Sequence, residues 1–325
     1  MKLADWNSEA WHNLTQRRRG GTLPHALLLG GPAGLGKREF ADVFARAMLC
    51  QSVLPDGHAC GACRACKLCA VGTHPDLARI GLELRDDGKL RSEITVDQMR
   101  NLSERLTLTA QFGGGQIALI DPADTLNVSA SNALLKTLEE PTPGTIIVLI
   151  ADYPARLSAT IRSRCQRLDF RIPATAPAQA WLVAQGIDKT AARRALAASG
   201  GNPGQALLWS RGSGLKLRDE VARDLRELRS GGSAFDTAQR WSRDEVDLRL
   251  LFAAALVAEE SRAQALGHHG PLALTAATDF TKLTTWFGDA NRMRDLLRGP
   301  LRADLSLLEL LVAWSKGSTS VALKA

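Results

Sequence analysis

The segment GGPAGLGKRE, Gly30–Glu39, carries the glycines and the lysine of a phosphate-binding loop. Gly31, Gly34 and Gly36 let the backbone curl with its N–H groups inward, and Lys37 is placed to reach terminal phosphates as a point charge. A hydrolysing site continues with Ser or Thr, whose hydroxyl holds magnesium. Here the position is Arg38, which coordinates no metal. The other half of such a site is an acid at the end of a neighbouring strand. IALIDPAD supplies Asp121, able to hold magnesium through water. The next residue, where many such proteins carry the Glu that orients the attacking water, is Pro122. Asp124 follows three residues after Asp121, past the expected strand end and poorly placed to substitute. Two parts of a hydrolytic centre are missing together. The expectation is a degenerate nucleotide site at which ATP hydrolysis fails, while the retained lysine leaves binding open.

The second group with chemistry is sulfur. Of the 6 cysteines, Cys50, Cys60, Cys63, Cys66 and Cys69 lie close together and Cys165 stands apart. Such clustering in a cytoplasmic chain argues for metal rather than disulfides. Cys60, Cys63, Cys66 and Cys69 repeat with two-residue gaps, and spacing alone favours those four as thiolate ligands of a tetrahedral structural Zn²⁺. An iron–sulfur cluster is the weaker alternative, because the three-residue last gap and following proline are absent. His58 and His74 flank the group and read as bystanders where thiolates are plentiful.

Elements of two kinds must position these residues. HALLLGG (25–31), GQIALID (115–121) and GTIIVLIAD (144–152) read as three buried strands. KREFADVFARAMLC reads as the helix after the glycine loop, with Phe40, Val43, Phe44, Ala47 and Met48 at helical spacing. LELRDDGKLRSEITV suggests a hairpin turning at Asp87-Gly88. Thr95 and Gln98 have capping-box spacing, and ASNALLKTLEEP is a helix stopped by Pro141. Alternating strands and helices imply a mostly parallel sheet covered on both faces. Past about Phe170, RIPATAPAQA suits a linker, Pro173–Ser210 offers only short helices, and nearly everything from Ser213 has helical period. The expected organisation is an α/β domain at 1–172 with a cysteine module at about 50–69, a small helical domain at 173–212, and an all-α domain at 213–325.

Composition narrows the classes. A chain of 325 residues with 45% hydrophobic and 23% charged residues is an ordinary globular protein of more than one domain. No apolar run approaches the ~18–20 residues of a membrane span, and MKLADWNSEAWHNL lacks the basic head and apolar core of a secretory signal, so a cytoplasmic location is expected. The net charge of +7 permits nucleic acid contact without requiring it. The seven tryptophans read as core rather than as a stacking surface for bases.

SNALLKTLEEP, followed at a fixed interval by LIADYPARLSATIRSRCQRLDF, resembles the AAA+ clamp-loader subunits of bacterial DNA polymerase III. The resemblance is strong over the α/β domain, moderate over the small helical domain and weak beyond it, where ADLSLLELLVAW looks like the family's collar helix. It implies an AAA+ P-loop fold with a zinc insertion, a lid and an oligomerising collar. Partners implied are the gamma/tau and delta subunits, the sliding clamp, and primer–template DNA through the complex. Arg38 and Pro122 match the family's non-hydrolysing member rather than its gamma/tau motor, as does Gly204 where a sensor arginine would open a helix. On this reading the chain belongs to a DNA-directed DNA polymerase holoenzyme without being a competent ATPase. The family's zinc pattern maps onto Cys50, Cys60, Cys63 and Cys66, with Cys69 as alternate. It also assigns Arg164 of Ser163-Arg164-Cys165 as an arginine finger entering a neighbour's ATP site; the plain alternative is an arginine paired with a nearby carboxylate. A gamma/tau-type motor and a stand-alone zinc-containing DNA-binding protein are the competing functions. Metal-dependent turnover favours the first, and strong salt-sensitive DNA binding by the isolated chain the second.

Overall fold

The computed structural model of the chain describes residues 3–85, 87–112, 114–274, 280–297 and 302–316. It divides into two compact units, Met1–Leu207 and Leu208–Ala325. In the first unit the order is α1 (Ser8–Arg19), β1 (Ala26–Gly30), α2 (Lys37–Leu49), α3 (Arg64–Val71), β2 (Leu77–Ile80), α4 (Val96–Leu106), β3 (Gln116–Ile120), α5 (Val128–Glu139), β4 (Thr145–Ala151), α6 (Ala159–Arg164) and β5 (Gln166–Asp169). The short helices α7 (Thr175–Ala184), α8 (Lys189–Ala198) and α9 (Pro203–Arg211) follow, α9 running across the division.

All strands are parallel, in the order β2-β3-β4-β1-β5. The central strands are apolar without alternation because both faces are covered. Leu27, Leu29, Ile117, Leu119, Val148 and Ile150 enter a core with Phe40 and Phe44 of α2, while Leu28, Ala118, Ile120, Ile147 and Leu149 enter a second core with Met99, Leu134 and Ile161. Parallel order puts the carboxyl ends of β1, β3 and β4 along one edge, where ligands bind in open α/β sheets. The glycine loop, Asp121 and Asp152 therefore converge there.

Local signals hold. Thr95 and Gln98 form a reciprocal capping box at the start of α4. Leu84 and Leu90 bridge antiparallel, with Gly88 at φ +75° in the turn between them. Two expectations need correction. The sheet has five strands rather than three, since β2 and β5 are four-residue strands at its edges, and β5 (QRLD) buries its residues only by halves. The linker is also shorter than RIPATAPAQA, because α7 already begins at Thr175.

The second unit is helical: α10 (Gly214–Arg229), α11 (Ala234–Arg243), α12 (Val246–Ala265), α13 (Phe280–Leu296) and α14 (Ala303–Ser315), with no strand among the described residues. Its tryptophans are core, and three of them have the indole N–H satisfied. Trp241 donates to Asp224 at 2.7 Å, Trp286 to the Leu310 carbonyl at 3.0 Å, and Trp314 to the Leu225 carbonyl at 2.8 Å. Among the described residues no helix is long and apolar enough to cross a membrane.

Candidate functional site

The glycine loop leaves β1 and enters α2 as its pattern requires, with Gly31, Gly34 and Gly36 all at positive φ. The contents of the loop are the chain's own. Lys37 is 2% exposed; its ammonium donates to the carbonyls of Gly31 and Pro32 and lies 2.6 Å from Asp152 Oδ1. Arg38 spans two strand ends, its Nε donating to Asp121 Oδ2 at 2.8 Å and Nη2 to Asp152 Oδ2 at 3.1 Å. Asp152, just beyond β4, thus holds both cations, a pairing that residue spacing alone does not reveal. Burial lowers the Lys37 pKa, against the pull of Asp152. Burial raises that of Asp121 despite Arg38, and its Oδ1 is buried without a partner. Asp152 is held below the usual carboxylate range because Lys37 and Arg38 outweigh its burial.

The outer side of the loop is covered too. Asn202 donates from Nδ2 to the Ala33 carbonyl at 2.7 Å, and the Gly204 N–H donates to the Gly34 carbonyl at 3.0 Å. A Cβ on Gly204 would collide with the Gly34 backbone, so the residue standing where a sensor arginine is expected serves a close backbone approach. From the N-terminal side Trp6 and Asn7 both donate to the Leu35 carbonyl, at 3.2 and 3.1 Å. These residues do not fit magnesium and ATP as they stand: a guanidinium sits on the acid that would hold the metal, and the lysine is bound inside the loop. Asp124 accepts from the Tyr153 N–H at 3.0 Å rather than facing the loop.

Ser163-Arg164-Cys165 lies at the junction of α6 and β5. Cys165 is buried in the core with Leu157 and Ile161, which fixes the turn, and burial raises its thiol pKa to about 12. Arg164 stays at the surface, its side chain 34% exposed and 2.5 Å from Glu139 Oε1. The carboxylate pair foreseen as the plain alternative therefore exists.

Four sulfurs converge elsewhere in the unit. The Sγ atoms of Cys50, Cys60, Cys63 and Cys66 lie within 4.8 Å of one another, with Cys50–Cys63 and Cys60–Cys66 at 3.9 Å. A tetrahedral Zn–S bond of 2.3 Å implies sulfur–sulfur edges of about 3.8 Å. The donor set fits zinc. Backbone N–H groups of Cys60, Cys63 and Cys66 point at the preceding sulfurs at 3.2 to 3.4 Å. Burial raises the Cys63 pKa, but N–H groups of Cys66 and Gln51 outweigh it and bring it down to about 6. Cys69, which spacing alone preferred, corrects that preference: it is buried in the α2 core outside the cluster. α3 begins directly after Cys63, and Cys69 falls in the part of that helix packed on α2. His58 stacks on Trp11 at 4.4 Å, and His74 accepts from the Asp76 N–H, so neither joins the cluster.

A family model described as DNA polymerase III, delta subunit, matches residues 6–174. A DNA polymerase III subunit delta-prime from Pseudomonas aeruginosa is 39% identical over 76% of this chain and 73% of its own length. The chain belongs to the DNA polymerase III delta-prime family. A delta-prime from Escherichia coli is 31% identical over 85% of this chain and 80% of its own. The tau subunit of Bacillus subtilis is 35% identical over 45% of this chain and 24% of its own. The fold is of the expected α/β class: a parallel sheet with a glycine loop after its first strand and a cysteine insertion, continued by helices.

Proposed function

We propose that the chain is the non-hydrolysing stator of the DNA polymerase III clamp loader in the bacterial cytoplasm. It assembles with gamma/tau and delta subunits, supports ATP-dependent loading of the sliding clamp onto primed DNA, and places Arg164 in the ATP site of a neighbouring gamma/tau subunit. The single observation that carries the reading is Arg38 lying across Asp121 and Asp152. A cation fixed to both acids opposes a second cation at the same carboxylates, and Pro122 supplies no carboxylate to orient water. Arg164 supports the second half of the reading, because its side chain is partly exposed while its neighbour Cys165 is anchored in the core. There the guanidinium's part is to balance charge on the transferring phosphoryl group. Zinc at Cys50, Cys60, Cys63 and Cys66 is structural, its four thiolates leaving no open position. The domains proposed remain 1–172, 173–212 and 213–325, with the last forming the collar.

The test is DNA-stimulated ATP hydrolysis by a reconstituted loader. Arg164→Ala, with assembly intact, is expected to remove most of the hydrolysis at one site, fingers of this kind being worth ~10³–10⁵ in rate. Unchanged hydrolysis would make Arg164 structural. Magnesium-dependent hydrolysis by the isolated chain would turn the reading towards a gamma/tau-type motor.

A further inference from the structure

Arg164 is held at two corners. Its Nη2 meets Glu139 at 2.5 Å, and its Nη1 donates to the Thr160 carbonyl at 3.0 Å. Glu139 is the last residue of α5 and Arg164 the last of α6, and these helices share a core through Leu134, Leu138, Ile161 and Cys165. The end of α5 is tied to the sheet as well, by a 2.9 Å hydrogen bond between His25 Nε2 and the Leu138 carbonyl. Both partners therefore sit on anchored backbone.

Helix stability gives no reason for an acid at this position. The last turn of α5 is the negative end of its dipole, where carboxylates are disfavoured, and Glu139 is followed by Glu140. The pair adds little stability either, because both side chains are partly exposed, 34% for Arg164 and 49% for Glu139. What it supplies is direction. An arginine side chain has many rotamers, and fixing two corners of its planar fork removes most of that freedom before any partner arrives. The remaining donors stay uncommitted among the described residues.

We infer that Glu139 is a positioning residue for Arg164, holding the guanidinium on α6 so that its uncommitted donors are presented to the neighbouring subunit. The inference rests on the reading of Arg164 as a donor acting in trans. Glu139 does not touch the neighbour's reacting atoms; it acts through Arg164 alone.

The experiment measures kcat and KM for ATP in the reconstituted loader with wild-type chain, Glu139→Ala, Glu139→Gln, Arg164→Ala and the double variant Glu139→Ala/Arg164→Ala. Glu139→Ala is expected to lower kcat about three- to thirty-fold with KM unchanged, the effect of losing orientation rather than binding. Glu139→Gln should keep most of kcat, since its amide oxygen still accepts from Nη2. The double variant should match Arg164→Ala alone. In the isolated chain, the Arg164 guanidinium signals in NMR should show slower rotation in wild type and Glu139→Gln than in Glu139→Ala. Equal rotation in all three would overturn the inference. A normal or raised kcat for Glu139→Ala beside a collapsed Arg164→Ala would overturn it while leaving the trans reading intact. No effect of Arg164→Ala would overturn both.

Discussion

The phosphate loop and the α6 end both present cations from the same sheet, yet they handle charge in opposite ways. Lys37 and Arg38 have their charge met inside the chain, by Asp152 and Asp121, with the lysine fully enclosed. Arg164 is met by one carboxylate at the surface and retains access to solvent. Buried charge must be paired where it stands, since leaving it unpaired costs several kcal/mol. Surface charge can be paired and still serve a partner. The contrast separates a loop whose charges are met internally from a side chain that stays open to solvent.

The largest expected effect lies outside both regions and tests whether the unit needs a metal at the four cysteines to form them. Cys50→Ser is expected to abolish zinc binding and unfold the cysteine module, structural zinc in small peptides being worth ~10–16 kcal/mol of apparent binding energy. Cys69→Ser should keep one zinc per chain by elemental analysis. Equal zinc loss in both would return Cys69 to the ligand set.

Gly204→Ala probes the cover over the loop. The added Cβ meets the Gly34 backbone, and forcing atoms into a packed contact costs about 1–3 kcal/mol, against up to ~1 kcal/mol gained in helix propensity. Chemical denaturation should report a net loss; a gain would show the α9 contact to be loose. Arg38→Thr restores a metal-binding hydroxyl and is expected to leave magnesium-dependent hydrolysis undetectable, because Lys37 stays on Asp152 and position 122 is proline. Turnover in that variant would erase the contrast between the two regions.

The smallest effect concerns pH. Asp152 has its pKa depressed in the folded state, so its contribution to stability is complete above the ordinary value of 3.8 and is lost as pH falls through its lower folded value. Asp121 is raised by burial and works in the opposite sense, its penalty easing on acidification. Asp152→Asn should therefore be less stable than wild type at neutral pH, with the gap closing below the usual carboxylate range. A gap independent of pH would mean that the ion pairs contribute nothing through charge.

Much of the first unit was legible because its signals are local. Buried strands are continuous apolar runs, the Thr95–Gln98 cap spans three residues, and Pro141 stops α5. The edge strands were not legible: LARI and QRLD are short, carry charge, and become strands only by pairing with β3 and β1. The same limit applied to the candidate site. Glycine spacing and the loss of Ser/Thr after Lys37 can be read directly, whereas Asp152 reaches Lys37 across 115 positions of chain, as 152 − 37 shows. Gly204 suggested a lost arginine, but its approach to Gly34 belongs to folded backbone alone. Regular spacing even misled for Cys69, because α3 turns that side chain into the core.

A loop satisfied by its own charges also changes the thermodynamic linkage of the molecule. A protein that binds nucleotide gains RT ln(1 + [L]/Kd) of stability and so tracks the nucleotide concentration around it. Where the pairing of Lys37 and Arg38 closes the loop to nucleotide, that linkage is absent, and the expected outcome is a melting temperature that does not move when ATP is added to the isolated chain. In the assembly proposed above, such a subunit would be a fixed reference against which its nucleotide-binding neighbours change shape.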